Sequence, residues 1–167
     1  MKRYFLKQGV FQIKDKYKVY NENKEVLYNM ISKLFSLSGK TKIIETATNR
    51  HIYTLNKKIF RILPVYYLKD PSGKRIAKIK KRISILTQKM TIESIYGDFK
   101  IRGDIYAYTF EIFKGEEQVV AVRKKVISFG DTYEIAIFDE EMAEFYVALV
   151  LMLDKMFHDN RSKRKKR

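Results

Sequence analysis

The chain has 167 residues, long enough to bury a real core and short enough to fit one domain better than two. Apolar residues make up 46% and charged ones 32%, a balance that excludes disorder over most of the length. There is no cysteine, so disulfides and thiolate metal sites are ruled out, and the net charge of +16 points to an anionic partner, nucleic acid or a membrane surface.

In chain order, the opening MKRYFLKQGVFQIKDKYKVY is basic, and charges interrupt it before any apolar run forms. A secretory signal is therefore not expected, and the expected location is cytoplasmic, with peripheral attachment to a membrane as the finer reading. A repeat follows. YNMISKLFSL (Tyr28–Leu37), TLNKKIFRIL (Thr54–Leu63), IAKIKKRISIL (Ile76–Leu86) and VAVRKKVISFG (Val120–Gly130) resemble one another. Their lysines Lys33, Lys58, Lys81 and Lys125 are roughly 22–25 residues apart if the last gap holds two units, with FKIRG at Phe99 as the weak missing member. Between these segments lie turn signals: YNENKE from Tyr20, TATNRH from Thr46, DPSGK from Asp70, YGD from Tyr96 and KGEE from Lys114. Runs such as KYKVY, TKIIET, VYYLK and TYEIAIF suit half-buried strands, so each repeat predicts one hairpin. Six hairpins give about twelve strands ending near Phe138. No amphipathic helix separates them, so an antiparallel meander is expected, closed into a barrel to hide its edges.

The pattern then changes once. Asp139-Glu140-Glu141 precedes EFYVALVLMLDKMF, with Asp139 as the expected helix N-cap. From Phe145 to Leu153 every residue is apolar or aromatic, so no helix face is left for water. A membrane span needs about 20 such residues, and a shorter run reads better as a buried helix; a partner groove and membrane insertion are the alternatives. About fifteen residues make a rod of roughly 22 Å, close to the length of a six-residue strand, so the helix would fit along the axis of the barrel. The expected fold is mainly β: residues 1–158 as a single barrel domain around a central helix at about 140–157, with residues 159–167 as a disordered polybasic tail.

These residues also carry a resemblance. KKVISFGDTYEIAIFDEE (Lys124–Glu141) before an apolar helix is similar to the end of the LURP-one-related proteins. LKQGVFQIKDKYKVYNENKEVLYNMISKLFSLSGKTKI (Leu6–Ile43) and IFRILPVYYL (Ile59–Leu68) are similar to their earlier strands. The resemblance covers nearly all of the chain up to about Met156. It implies a Tubby C-terminal-like fold, a twelve-stranded barrel around a hydrophobic C-terminal helix, in a superfamily that includes phosphoinositide-binding Tubby domains and phospholipid scramblases. The matching motifs are turns and core positions, specific for fold and weak for activity. The Tubby phosphoinositide ligands do not map position by position, so no binding residue is carried over. The basic tail after His158 departs from the family pattern.

Catalytic signatures fail on inspection. SGKT (Ser38–Thr41) resembles the end of a phosphate-binding loop, yet Leu34 stands where that motif needs glycine. His51 and His158 are far apart, and neither sits by a nucleophile elbow or in a metal-ligand spacing. Asp98, Asp104, Asp131 and Glu134 fall near strand ends or turns, where backbone hydrogen bonding is the simpler role. The chain is thus expected to be no enzyme, with no cofactor and no metal.

Basic residues are more informative. Lys78, Lys80 and Arg82 share one strand face, and Lys74 and Arg75 extend that charge into the adjoining turn. Arg123 and Lys125 point together, away from Val120 and Val122. If these hairpins lie side by side the positions merge into a stripe; the alternative is an ordinary solvated barrel face. In the tail, Arg161, Lys163, Arg164, Lys165, Lys166 and Arg167 could hold an anionic membrane, bind nucleic acid phosphates, or only solubilise. The expected role is a non-enzymatic binding or scaffold domain meeting anionic phospholipid, with nucleic-acid association as the alternative.

Overall fold

The computed structural model describes residues 1–7, 17–32, 40–58, 65–80, 90–125 and 132–164, with side chains for all of these but Lys7, Ser32, Lys80 and residues 158–164. The described residues form twelve strands and one helix. The strands are β1 (Lys2–Lys7), β2 (Lys18–Tyr20), β3 (Val26–Ser32), β4 (Thr41–Glu45), β5 (His51–Lys58) and β6 (Val65–Lys69). The second half follows as β7 (Arg75–Lys80), β8 (Met90–Ser94), β9 (Phe99–Asp104), β10 (Thr109–Lys114), β11 (Glu117–Lys125) and β12 (Thr132–Ile137), then the helix α1 (Ala143–Arg164).

Each strand pairs antiparallel with the next, and β1 pairs with β12 from Lys2↔Ile137 to Lys7↔Thr132, so the meander closes on itself as expected. Closure leaves no open edge for another chain to pair with. The described parts of the repeated segments fall on β3, β5, β7, β9 and β11; Lys33 and Lys81 lie outside the described residues. The turn signals fall between even and following odd strands, and so gather at one end of the barrel. The Asp70 turn illustrates the chemistry: its carboxylate accepts from the Ser72 hydroxyl at 2.6 Å and the Lys74 N–H at 2.9 Å, while Gly73 supplies a φ of 90°.

The strands tilt. The row of paired residues Lys57–Tyr66–Ile79–Ile92–Phe99–Lys114 starts at one end of β5 and finishes at the opposite end of β10. Side chains alternate, and the inward set (Leu6, Val19, Ile43, Leu68, Ile79, Ile112 and Ile135 among them) is buried to within 1%.

α1 threads this wall. It starts among the turns, where Glu144 meets Arg50 at 2.5 Å and Phe145 packs edge-on against Tyr96 at 4.9 Å. It leaves at the other end, where Phe157 packs edge-on against Tyr106 at 4.7 Å. From Phe145 to Phe157 the helix is buried on every side, which accounts for its lack of a polar face. Among the described residues, no helix is long and apolar enough to cross a membrane.

Three details differ from the sequence expectations. The helix starts at Ala143, so Asp139 is not its N-cap; the Asp139 carboxylate instead accepts from the Tyr146 hydroxyl at 3.0 Å. The helix also runs on to Arg164, past the expected end near Phe157, as a stretch free of Pro and Gly allows. Finally, Asp154, the charge that ends the apolar run in sequence, is itself buried. It is 4% exposed, and the Tyr108 hydroxyl donates to it at 2.6 Å.

Candidate functional site

The expected stripe depends on β7 and β11 lying side by side. In the barrel they are separated by β8, β9 and β10, so Lys78 and the Arg123–Lys125 pair do not merge. Their charges are also offset locally. Lys78 forms an ion pair with Glu93 across the β7–β8 ladder. Arg123 pairs with Glu111 and donates to the carbonyls of Phe110 at 3.2 Å and Val122 at 2.9 Å. Lys125 meets Glu134 at 2.7 Å, and Glu134 also lies 3.8 Å from Arg3. Lys74 is exposed in the Asp70 turn, and the Arg75 guanidinium stacks 4.3 Å from the centre of the Tyr67 ring. Lys80 is the last residue of β7. Arg82 lies outside the described residues, as do Lys165, Lys166 and Arg167; Arg161, Lys163 and Arg164 ride on the helical backbone of α1.

What the topology brings together instead, among the described residues, is a cluster of acids at the turn end: Glu45, Asp70, Glu116, Glu140 and Glu144 all sit there, interleaved with basic residues. Arg50 bridges Glu45 at 3.2 Å and Glu144 at 2.5 Å, tying the β4–β5 turn to the start of the helix. The Thr48 hydroxyl and then Arg50 hold the Glu45 carboxyl below the usual range, and the Ser72 hydroxyl does the same for Asp70. Behind this cover, burial pushes the Tyr53 phenol up to about 12 and raises that of Tyr28.

The exit end is built differently. Its strand ends carry Lys18, Lys57, Lys58, Lys124 and Lys125, with Lys40 leading into β4. Among the described residues, no carboxylate lies within ion-pair distance of Lys18, Lys40 or Lys58. Asp104 is the acid of a described strand end there, and it is engaged in its own turn, accepting from the N–H groups of Tyr106 at 2.8 Å and Ala107 at 3.1 Å. Just before it, Gly103 has a φ of 102°, and a Cβ there would meet the Thr109 carbonyl at 2.5 Å. Asp104 thus has the backbone-bonding role expected of it at a strand end.

The interior leaves little room for chemistry or cargo. A cavity of ≈ 10 Å³ lies beside Leu6, Tyr108, Val122, Tyr133 and Asp154, about the size of one water. His51 is satisfied in β5, its Nε2 lying 2.8 Å from the Thr54 hydroxyl and 3.1 Å from the Tyr53 carbonyl. Ser38, Gly39 and Asp131 lie outside the described residues, while Thr41 is buried at the start of β4. Among the described residues, no group of three acidic or histidine side chains is gathered to hold a metal.

Comparison with known proteins agrees with this architecture. The family model described as LURP-one-related matches residues 2–154. The uncharacterized protein YxjI of Bacillus subtilis is 24% identical over 156 residues, covering 93% of this chain and 94% of the relative. An X-ray structure of a protein from Arabidopsis thaliana superposes with a TM-score of 0.61 at 11% identity, covering 92% of this chain and 91% of the other.

Proposed function

The chain belongs to the LURP-one-related family, and from that premise we propose that it is a non-enzymatic binding or scaffold domain that associates with anionic phospholipid surfaces. The observation that carries the lipid reading is the net charge of +16 on a barrel whose interior is filled by its own helix, so that recognition falls to the outside. A polybasic segment near an anionic bilayer gains about 1 kcal/mol per lysine or arginine, and Arg161–Arg167 adds such a segment to the basic residues of the barrel.

Nucleic acid would satisfy the same charge. Single-strand binding needs aromatic faces set among basic residues. Among the described residues, the exposed large aromatics Tyr96 and Phe138 lie at the turn end, away from the exit-end lysines. This favours lipid over nucleic acid.

Co-sedimentation with vesicles, with and without anionic lipid, tests the reading. The full chain is expected to pellet with phosphatidylserine-containing vesicles and to stay in solution with phosphatidylcholine alone; deleting Arg161–Arg167 weakens the first result. Binding that ignores lipid charge defeats the proposal.

A further inference from the structure

We propose that the barrel docks side-on, with the outer wall of β3 to β7 laid on the anionic bilayer and the α1 axis close to the membrane plane. This rests on the anionic-lipid reading above and names the face of the molecule that makes the contact.

The first argument is how charge is divided around the barrel. Because each strand pairs with the next, a stretch of sequence is also a sector of the wall. Residues 26–89, from the start of β3 to the start of β8, hold fifteen Lys or Arg and two acids. Residues 90–142, from β8 to the lead into α1, hold six Lys or Arg and eleven acids. Residues 33–39, 59–64 and 81–89 lie outside the described residues and contain no acid, so they add no carboxylate to the first sector. The two acids of that sector are engaged locally, Glu45 with Thr48 and Arg50, Asp70 with Ser72 and the Lys74 N–H. One side of the barrel is thus strongly positive and the other negative, and an anionic plane turns the positive side toward itself before contact.

The second argument is register. The ladders align Ile31, Lys42, Thr54, Lys69 and Arg75 in one row across β3 to β7. Lys69 stands opposite Arg75, and like charges so placed weaken a sheet. Among the described residues, neither Lys42 nor Lys69 has a carboxylate within ion-pair distance. In the other sector Lys100 and Arg102 meet Glu116 at 3.8 and 3.1 Å, and Arg123 pairs with Glu111. An anionic surface along the row supplies the counter-charge that the fold leaves out. The row ends at Ile31, which is 54% exposed and stands beside Lys42, an apolar side chain placed to enter the bilayer next to a cation. Tyr67, next to the row, is 9% exposed with the Arg75 guanidinium over its ring, so it offers no open face for a nucleic acid base.

The third argument is shape. Twelve strands about 4.8 Å apart, tilted about 40°, close on a circle roughly 24 Å across. With the contact line on β5, strands two places away rise only about 6 Å from the plane, within the reach of a lysine and within one Debye length. All five strands of the basic sector therefore act on the bilayer together. β11, six strands from β5, faces away from it, flanked by Glu111 on β10 and Glu134 on β12.

Two variants of equal charge change test the pose on the full chain. One carries Lys42→Gln, Lys69→Gln and Arg75→Gln; the other carries Lys100→Gln, Arg102→Gln and Lys114→Gln. Each loses two lysines and one arginine stacked on a ring, Tyr67 in the first and Phe113 in the second. Both are first checked for the wild-type circular dichroism spectrum. Partitioning onto phosphatidylcholine vesicles with about 30% phosphatidylserine is expected to fall on the order of a hundredfold for the first variant, and by less than about threefold for the second. Equal losses, or a larger loss in the second, overturn the side-on pose while leaving the lipid reading intact. Wild-type protein indifferent to phosphatidylserine overturns both, and so does a DNA duplex that displaces the vesicles at physiological salt. Should either triple variant fail to fold, labelling decides, because the chain has no native cysteine. A fluorophore on Ile31→Cys is expected to be shielded from an aqueous quencher by vesicles, and one on Lys100→Cys to stay open; any other pattern rejects the side-on pose.

Discussion

At the scale of the residue, Asp154 shows how a single polar group sits inside an apolar plug. Its carboxylate is buried beside Leu6, Val122 and Val150, and the Tyr108 hydroxyl donates to it from a turn 46 residues earlier. Tyr108 is itself stacked on Tyr133, ring centres 3.8 Å apart, so the donor is held in place. Tyr108→Phe keeps the ring and removes the hydroxyl, leaving a buried acceptor short of a partner at a cost of about 1–3 kcal/mol. The melting temperature should drop by about 2–4 °C per kcal/mol lost, and an unchanged melt would show that the hydroxyl is dispensable. This contact is invisible in the sequence, where an aspartate after an apolar run reads as the point where the helix meets water. Only the β9–β10 turn, entered through Gly103 and Asp104, brings Tyr108 to it.

At the scale of the element, α1 and the hairpins were legible, and for physical reasons. Turn chemistry such as Asp70-Pro-Ser-Gly73 has few solutions, and so does a helix apolar all round, whose run here is too short for a membrane span. Partner choice across the wall was not legible. Whether Lys78 faces water or Glu93 depends on the register of the β7–β8 ladder, and other ladders carry bulges, between Leu68 and Lys69 and between Val19 and Tyr20, that shift register without a sequence mark. The separation of β7 from β11 was implicit in the meander itself; the expected stripe overlooked it. Val147 and Leu151 are 1% and 0% exposed on α1. Val147→Asp or Leu151→Lys should therefore abolish folding, since an unpaired charge in that setting costs several kcal/mol, whereas Leu151→Met should be tolerated. Circular dichroism and size-exclusion elution read the difference. A folded, soluble Leu151→Lys protein would contradict a helix buried on all sides.

At the scale of the whole molecule, two forces that respond differently to salt divide the labour. The filled barrel is held by apolar burial, whereas in the proposed lipid binding the attraction to an anionic plane would be carried by exposed lysines. Raising salt from 0.1 to 1 M shortens the Debye length from about 10 to about 3 Å. Vesicle binding should collapse over that range while the melting temperature holds or rises slightly. A melt that falls in step with binding would mean that ion pairs, such as Arg50 with Glu45 and Glu144, hold the fold together.

The position of α1 in the chain also sets the order in which the molecule can be made. All twelve strands precede the helix that fills them, and the closing ladder joins β1 to β12. A nascent chain therefore displays inward faces such as Ile79, Ile112 and Ile135 with nothing to cover them until the helix follows. Contacts so distant in sequence form slowly and leave the chain prone to aggregation in the interval. The fold is thus all-or-none with respect to synthesis: no first half of the barrel has a core of its own, and the helix that completes it is also the timer that decides when folding begins.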